Sequence, residues 1–339
     1  MTSITNRTPS MRDVALAAGV SAQTVSRVLS DSTHVQPETK SRVLAAVEEL
    51  GYRRNKTARA LVTGQSKTLG LITLATNFYS RSSLAMGIEN EARANGYIVN
   101  ATTTESLGSR AIAGAISRLV DQGVDGLIIA VPLRDVDAPL ERLTRRLPTV
   151  TVDGLRTSAA DIVAVDQVSA ARVATQHLLD LGHQTVWHVA GPVEWSDSDA
   201  RIEGWQQTLR AAGASVPPEL HGDWTPESGY RNGLILGRMP DVTAILVASD
   251  EMAFGLLRAF TELGRRVPDD VSVVGFDDIA LAAYASPPLT TVRQSFEETG
   301  CRAVRHLLRH ISDPETDHVP ELVEPELIIR STTGPPPHA

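Results

Sequence analysis

Two side chains near the start of the sequence, Gln23 and Arg27, are of the types that read DNA bases. Glutamine can pair with the edge of adenine and arginine with the edge of guanine, each through two hydrogen bonds. Helical spacing places both on one face, together with Ala22 and Ser26. The other face is apolar and consists of Val25, Val28 and Leu29. The segment therefore predicts a helix that presents a polar face to the major groove of DNA.

The preceding residues predict the elements that would hold this helix. Residues 11–29 have the pattern of two helices joined by a short turn. Gly19 falls where the turn needs a left-handed backbone, and Ser21 is a good N-cap for the second helix. The small apolar face of the first helix consists of Val14, Ala15 and Ala18. An ordinary helical hairpin is the alternative, and the helix-turn-helix motif is the better match.

The charge distribution supports a DNA contact at this end of the chain. Residues 1–60 carry nine basic and five acidic residues, whereas residues 61–339 carry 23 basic and 35 acidic residues. A basic N-terminal segment followed by an acidic remainder is typical of a protein that contacts the phosphates of DNA at one end only.

The overall composition excludes several classes of protein. A chain of 339 residues is long enough for two or three domains. Its one cysteine, Cys301, excludes an internal disulfide and a thiolate metal cluster, and we expect no metal or cofactor. The apolar runs are far shorter than a membrane span, and no secretory signal precedes the first helix. We therefore expect a cytoplasmic protein.

A change of pattern near Thr68 separates a small helical headpiece from a larger body. Pro37 begins a third helix, in which Val43, Leu44, Val47 and Leu50 recur at helical spacing. Residues 56–61 form a helical segment too short to be stable alone, and residues 63–66 form a linker.

From Thr68 onwards, short apolar strands alternate with amphipathic helices. This alternation predicts parallel sheets with right-handed crossovers, either one large sheet or two smaller ones. The predicted strands are 69–75, 97–101, 124–131, 148–152, 185–190, 244–249, 271–276 and 289–293. The predicted helices are 84–95, 110–121, 168–181, 201–212, 228–238, 251–263 and 296–311. Residues 153–166 are a plausible passage between sheets, and 322–330 a final strand pair.

A series of short motifs carries a resemblance to a known family. They are Asp13-Val14-Ala15, Gly19-Val20-Ser21, Thr24 to Leu29, Gly51-Tyr52, Ala58 to Leu61, Leu181-Gly182-His183, Ala190-Gly191-Pro192, Ser249-Asp250, Val274 to Asp278 and Pro288 to Val292. In this order and spacing they resemble the LacI/GalR family of bacterial transcription regulators, over about residues 10–333. Gly222-Asp223-Trp224 and Arg201 with Trp205 are most similar to the lactose repressor branch of that family.

The resemblance implies an α/β architecture with distinct domains. A three-helix helix-turn-helix headpiece (1–53) and a hinge helix with linker (54–67) precede a two-lobed body like a periplasmic binding protein. The N-terminal lobe would comprise 68–165 plus 294–325, and the C-terminal lobe 166–293 plus 326–333, followed by a tail, 334–339. The family acts as a homodimer on pseudo-palindromic operator DNA. Since this chain shows no C-terminal heptad helix, we expect a dimer and no larger assembly.

The resemblance also assigns DNA contacts. Ala22, Gln23 and Arg27 match its base-reading positions, and Leu61 matches a residue that wedges open the minor groove and bends the duplex. Asn55, Ala58 and Leu61 share one helical face, and a packed linker leucine is the alternative for Leu61. The candidate phosphate contacts are Ser10, Ser21, Thr24, Ser26 and Asn55, with His34 in a nearby loop.

An effector site is implied between the lobes. Asp153, Arg201, Asp277 and Gln294 match effector-contacting positions, where an Asp–Arg fork would satisfy sugar hydroxyls. Trp224 would stack on a pyranose, and Phe78 would close the pocket. Ser249, Ala130 and Val165 depart from the pattern, because related pockets carry amides or an aromatic ring there. The expected ligand is a small saccharide, with a β-galactoside as first candidate, and an inter-lobe salt bridge is the alternative for the Asp–Arg pair.

Three other functions remain as alternatives. A solute-binding protein would share the body, but the headpiece disfavours it. Adjacent carboxylates at Asp277 and Asp278 could suggest an enzyme, although neighbours in a turn usually point apart, and no catalytic residue is predicted. A regulator whose ligand, such as a purine, tightens DNA binding would have the same architecture. No membrane partner is expected.

Overall fold

The computed structural model describes residues 9–29, 35–53, 64–76, 79–132, 138–152, 161–313, 315–317 and 319–337. The chain divides into two compact units, Met1–Ser66 and Lys67–Ala339. None of the described helices has the length and apolar character needed to cross a membrane.

The described part of the first unit contains three helices, α1 (Met11–Ala18), α2 (Ala22–Leu29) and α3 (Pro37–Glu49). Ser10 and Asp13 form a reciprocal capping box at the start of α1. Gly19 ends α1 with φ of 64°, in the left-handed region that the sequence required. The Ser21 hydroxyl accepts a hydrogen bond from the Thr24 N–H, so Ser21 caps α2 as predicted.

The three helices enclose a small apolar core. Its buried members are Val14, Ala15, Ala18, Val25, Val28, Val43 and Ala46. The predicted core face of α3 was wrong at one position, because Leu44 is 46% exposed and Ala46 is buried instead. A small residue fits here because α3 packs closely against α1 and α2.

The second unit alternates strands and helices. Its first part contains β1 (Thr68–Leu74), α4 (Tyr79–Ala94), β2 (Ile98–Thr104), α5 (Ser109–Asp121), β3 (Gly126–Ala130), α6 (Ala138–Thr144), β4 (Thr149–Val152) and β5 (Asp161–Val165). Its second part contains α7 (Gln167–Asp180), β6 (Trp187–Ala190), α8 (Ser196–Ala211), β7 (Leu220–His221), α9 (Pro226–Leu236), β8 (Ala244–Val247), α10 (Asp250–Leu263) and β9 (Ser272–Asp277). A 3-10 helix (Ala280–Tyr284), β10 (Thr290–Arg293), α11 (Phe296–Ser312), β11 (Glu321–Val323) and β12 (Glu326–Ile328) follow.

Two six-stranded sheets organise this unit and define its two lobes. The first lobe has the order β11-β5-β4-β3-β1-β2, and the second has β12-β10-β9-β8-β6-β7. Neighbouring strands run parallel, except that β12 is antiparallel to β10. The two-lobed, mainly parallel architecture is therefore confirmed. The predicted final strands are present as β11 and β12, and they join different sheets instead of pairing with each other.

Each sheet is covered by helices on both faces, and the strand residues alternate accordingly. Leu71 and Ile128 pack towards α4 and α11, whereas Ile72 and Ile129 belong to the cluster on the opposite face, with residues of α5 and α6. The second sheet has the same arrangement, with α9 and α10 on one face and α7 and α8 on the other. This layering brings the carboxyl ends of the parallel strands and the starts of several helices towards one region.

Candidate functional site

A cavity of about 470 Å³, including its open mouth, lies where residues of both lobes meet. From the first lobe, α4 contributes Ser80, Arg81 and Leu84. The second lobe contributes residues at the end of β9 and at the starts of α8 and α10. Open α/β sheets place ligands at such strand ends.

Four of the predicted effector residues line this cavity, although they come from four separate segments. They are Arg201, Trp224, Ser249 and Asp277. Gln294 is buried and contacts Asp277, and both line an adjoining pocket. Phe78 and Asp153 lie outside the described residues. Ala130 and Val165 are buried in the core of the first lobe.

Arg201 organises a chain of side-chain hydrogen bonds. It is 4% exposed, and its Nε donates to Gln167 Oε1 at 2.9 Å while its Nη1 donates to the Ala248 carbonyl oxygen. Gln167 Nε2 donates to Gln294 Oε1 at 2.7 Å, and Gln294 Nε2 donates to Asp277. Arg201 is thereby linked to Asp277 through the side-chain amides of Gln167 and Gln294.

The backbone is strained at two of these positions. Asp277 has φ of 109° and Trp224 has φ of 69°, both in the region that favours glycine. Burial raises the pKa of Asp277 well above its usual range, although the nearby Arg201 opposes this shift. Strained residues held by their surroundings cluster at functional sites.

Trp224 is packed as a wall of the cavity and is 7% exposed. Its ring lies so close to Gly191 that a Cβ there would come within 2.1 Å of it. It meets the Trp195 ring edge to face, with centroids 5.4 Å apart, and the Arg201 guanidinium lies 5.4 Å from its centroid. Its buried indole N–H has no hydrogen-bond partner in the described part of the chain, which leaves a donor for a ligand.

Several cavity residues were not found from the sequence. They are Ser80, Arg81, Leu84, Trp195, Asp197, Glu251 and Phe296, and Gln167 stands behind them. Asp197 and Glu251 lie in the first turns of α8 and α10, a signal that could have suggested them. Nothing local in the sequence distinguishes Arg81, because its burial depends on the approach of the two lobes.

Asp250 lies beside this site at the start of α10. Its Oδ1 accepts from the Thr291 hydroxyl at 2.6 Å, and its Oδ2 accepts from the Ile279 N–H at 2.9 Å. Burial raises the pKa of Asp250 to about 7, although both hydrogen bonds act in the opposite direction. Asp250 therefore holds the loop after β9 in place while it is partly protonated near neutral pH.

Replacing Asp250 by asparagine is expected to alter the pH dependence of stability. Between the ordinary pKa of 3.8 and the folded value of about 7, the folded chain holds the Asp250 proton more tightly than the unfolded chain does. The free energy of unfolding therefore falls as pH rises through this window. The asparagine oxygen can accept from the Ile279 N–H while its amide donates to the Thr291 hydroxyl oxygen, and the side chain cannot lose a proton.

Urea unfolding at about pH 5 and about pH 7 tests this prediction. Asp250→Asn should lose less free energy of unfolding between the two pH values than the wild type does. Burial lowers the pKa of His188 to about 4, which makes the free energy of unfolding rise with pH. This contribution is the same in both proteins and cancels when they are compared. Equal losses in the two proteins would contradict the assignment.

The second candidate site is the exposed face of α2. Ala22, Gln23 and Arg27 are exposed, and Thr24 and Ser26 are half-buried. The hydroxyls of Ser10 and Ser21 are already used locally, because Ser10 donates to Asp13 at 2.7 Å and Ser21 contacts Thr24 at 2.9 Å. The remaining predicted DNA contacts, His34, Asn55, Ala58 and Leu61, lie outside the described residues.

The side chains that suggested catalysis have other partners. Asp278 binds Arg330 at 2.6 Å and Arg293 at 2.8 Å, whereas Asp277 accepts from Gln294, so the adjacent carboxylates do not act as a pair. Within the described ranges, no group of three or more His, Cys, Asp or Glu side chains could hold a metal ion.

Comparison with known proteins identifies the family. The profile of "Bacterial regulatory proteins, lacI family" matches residues 10–55, and the profile of the periplasmic binding protein-like domain matches residues 175–333. The lactose operon repressor of Escherichia coli (strain K12) is 35% identical, over 96% of this chain and 90% of the repressor. The chain belongs to the LacI family. It is a DNA-binding transcription regulator, as predicted.

Solved structures of LacI-family proteins agree with this fold. A lac repressor dimer bound to operator and the anti-inducer ONPF matches with a TM-score of 0.90 at 34% identity, over 97% of this chain and all of that one. The regulator CelR of Thermobifida fusca is 34% identical, over 96% of this chain and 98% of CelR. A structure of a CelR–cellobiose complex matches with a TM-score of 0.71 at 31% identity, over 96% of this chain and 99% of that one.

Proposed function

We propose that this protein represses carbohydrate-utilisation genes and that a small saccharide, bound in the cavity between the lobes, releases it from its operator. The cavity lining carries the proposal. A buried arginine, two indole rings and several carboxyl groups face one space. Sugar hydroxyls need both donors and acceptors, and aromatic rings cover the apolar face of a pyranose. The saccharides in the names of the related proteins, lactose and cellobiose, support this class of ligand.

The DNA contacts follow from the headpiece. We assign base reading to Ala22, Gln23 and Arg27 on the exposed face of α2. The phosphate contacts would come from Ser10, Ser21, Thr24, Ser26 and Asn55, with His34 nearby. Because the Ser10 and Ser21 hydroxyls hold helix caps, the N-terminal ends of α1 and α2 would approach phosphate together with them.

The proposed coupling runs through residues 54–67, which would form a hinge between the headpiece and the body. Two hinge segments would order only when they pack together on bent DNA, with Leu61 in the minor groove. We propose that the body divides into a lobe of 68–165 plus 294–325 and a lobe of 166–293 plus 326–333. A saccharide that favours one arrangement of these lobes would separate the hinges and release the operator.

We propose a homodimer as the working form. A two-fold dimer fits a pseudo-palindromic operator, and the related lac repressor is described as a dimer bound to operator. The helix α4 and the 3-10 helix Ala280–Tyr284 each carry exposed apolar side chains that a partner protomer could cover. Met86 on α4 is 53% exposed, Leu281 is 64% exposed and Tyr284 is 85% exposed.

A titration of the operator complex tests the proposed function. A binding sequence is first selected from random duplex DNA with the full-length protein, and complex formation is followed by fluorescence anisotropy. Cellobiose or lactose should release the DNA, and guanine should have no effect. If saccharides leave the complex unchanged while guanine tightens it, the protein is a corepressor-dependent regulator and the proposal is wrong.

Leu61→Ala is expected to weaken operator binding by about tenfold or more and to reduce DNA bending. An alanine is too short to separate two base steps, so the duplex would lose its kink. Energy transfer between dyes at the two duplex ends measures the bend. Leu16→Ala is the control, because Leu16 is 86% exposed on α1. Unchanged affinity and bending in Leu61→Ala would rule out the hinge mechanism.

A further inference from the structure

Arg81 is a buried cation without a protein anion in the described part of the chain. It is 7% exposed, and its Nη1 donates to the Ala130 carbonyl oxygen at 3.3 Å. Its buried Nε has no hydrogen-bond partner among the described residues. Removing a charge from water costs several kcal/mol per ion, so buried arginines are normally paired. An arginine that lines a cavity with an unused donor is therefore poised to bind an oxygen atom of a ligand.

Arg81 also faces an aromatic ring of the other lobe. Its guanidinium carbon lies 5.5 Å from the ring centroid of Trp195, which precedes α8. Arg201 and Trp224 are arranged in the same way, with the guanidinium carbon of Arg201 5.4 Å from the ring centroid of Trp224. The two indole rings meet edge to face, with centroids 5.4 Å apart. One cavity thus contains two adjacent arginine–tryptophan pairs.

We propose that the two pairs are two saccharide subsites and that the effector is the size of a disaccharide. The first ring would lie against Trp224 and Arg201. The second ring would lie against Trp195, where one of its oxygen atoms accepts a hydrogen bond from Arg81 Nε. This inference rests on the proposed function, because it assumes that the cavity binds a saccharide.

Further polar groups of the cavity fit two rings. Asp197 is 8% exposed and lines the cavity, and the hydroxyl of Ser196 contacts it only at 3.5 Å. Asp197 can therefore accept from a sugar hydroxyl, while the free indole N–H of Trp224 can donate to one. Donors and acceptors at both tryptophans are what a chain of two pyranose rings requires.

The second subsite also links the lobes, because Arg81 belongs to the first and Trp195 to the second. A ligand that fills it contacts both lobes and can favour one of their arrangements. A monosaccharide held by Arg201 and Trp224 alone would contact mainly the second lobe. A ligand with equal affinity for two arrangements does not shift their populations. Disaccharides should therefore release the operator, and monosaccharides should bind without releasing it.

Calorimetric titration of the full-length protein tests this inference with cellobiose, lactose, glucose, galactose and cellobionic acid. The wild type should bind at least one disaccharide about tenfold or more tightly than its monosaccharides. Arg81→Gln and Trp195→Leu should each lower disaccharide affinity by a larger factor than monosaccharide affinity and so remove most of this advantage. Trp195→Phe should retain more of it, since the ring is kept. Arg93→Gln, at an exposed position of α4, should bind like the wild type.

The outcomes separate this inference from the proposed function. If Arg81 binds a carboxylate, cellobionic acid will bind more tightly than cellobiose, and Arg81→Gln will remove the difference. If it binds a neutral oxygen, cellobiose will be the tighter ligand. Both results support the second subsite. Equal affinity of the wild type for disaccharides and monosaccharides, or equal losses for both in the variants, would overturn it. Binding of no saccharide at all would overturn the proposed function itself.

Discussion

Arg201→Ala is expected to leave the protein on its operator and to lower its affinity for saccharide by about 100-fold or more. Arg201 supplies buried, charged donors, and hydrogen bonds to charged groups are the strong ones. Its loss would also leave the Ala248 carbonyl and the Gln167 amide without their partner. Because Arg201 opposes the rise in the pKa of Asp277, its removal would raise that pKa further.

The same titration of DNA release that tests the proposed function measures this effect. Arg201→Lys should recover part of the affinity, because an ammonium keeps the charge but cannot reproduce the planar donors of the guanidinium. Arg172→Ala, at an exposed position of α7, is the control for loss of an arginine. If Arg201→Ala still released the operator at wild-type saccharide concentrations, Arg201 would have only a structural role.

The headpiece could be predicted from the sequence because its determinants are local. A left-handed residue at Gly19 and a cap at Ser21 act within a few neighbouring residues, and both occur as expected. Leu44 was assigned wrongly because helical periodicity does not show which helix will cross α3 closely enough to require a small residue. That information lies in the packing of three helices together.

In the body, too, features set by neighbouring residues were predicted, whereas features set by residues far apart in the sequence were missed. The alternation of strands and helices indicated the class of fold, whereas the two-residue β7 is too short for a clear pattern. The strand β5 was missed because it lies within residues 153–166, which were predicted as a passage between sheets. Arg201, Trp224 and Asp277 were expected in one site, and they line one cavity. Arg81 and Trp195 were missed, because these residues are more than 100 positions apart in the sequence and meet only when the two lobes face each other.

Gly255→Ala is expected to lower the free energy of unfolding by about 3 kcal/mol or more. Gly255 lies where α10 crosses α9, and a Cβ there would come within 1.8 Å of the Pro226 carbonyl oxygen. Since that atom belongs to the backbone, a whole helix must move to make room. Thermal and urea unfolding measure the loss. Gly114→Ala on α5 is the matched control, because the nearest atom to its Cβ is the end of Arg118 at 3.7 Å.

The free energy of unfolding of the control should rise by about 0.5–1 kcal/mol, since alanine loses less backbone freedom on folding than glycine does.

The crossing of α9 and α10 has a second contact, in which a Cβ on Gly229 would meet the Met252 carbonyl oxygen at 1.9 Å. Once one alanine has moved the helices apart, the other should cost less, so the double variant should lose less than the sum of the two single losses. Because Glu251, in the first turn of α10, lines the cavity, saccharide affinity should fall as well. Additive losses with unchanged saccharide binding would show that the helix crossing does not position the site.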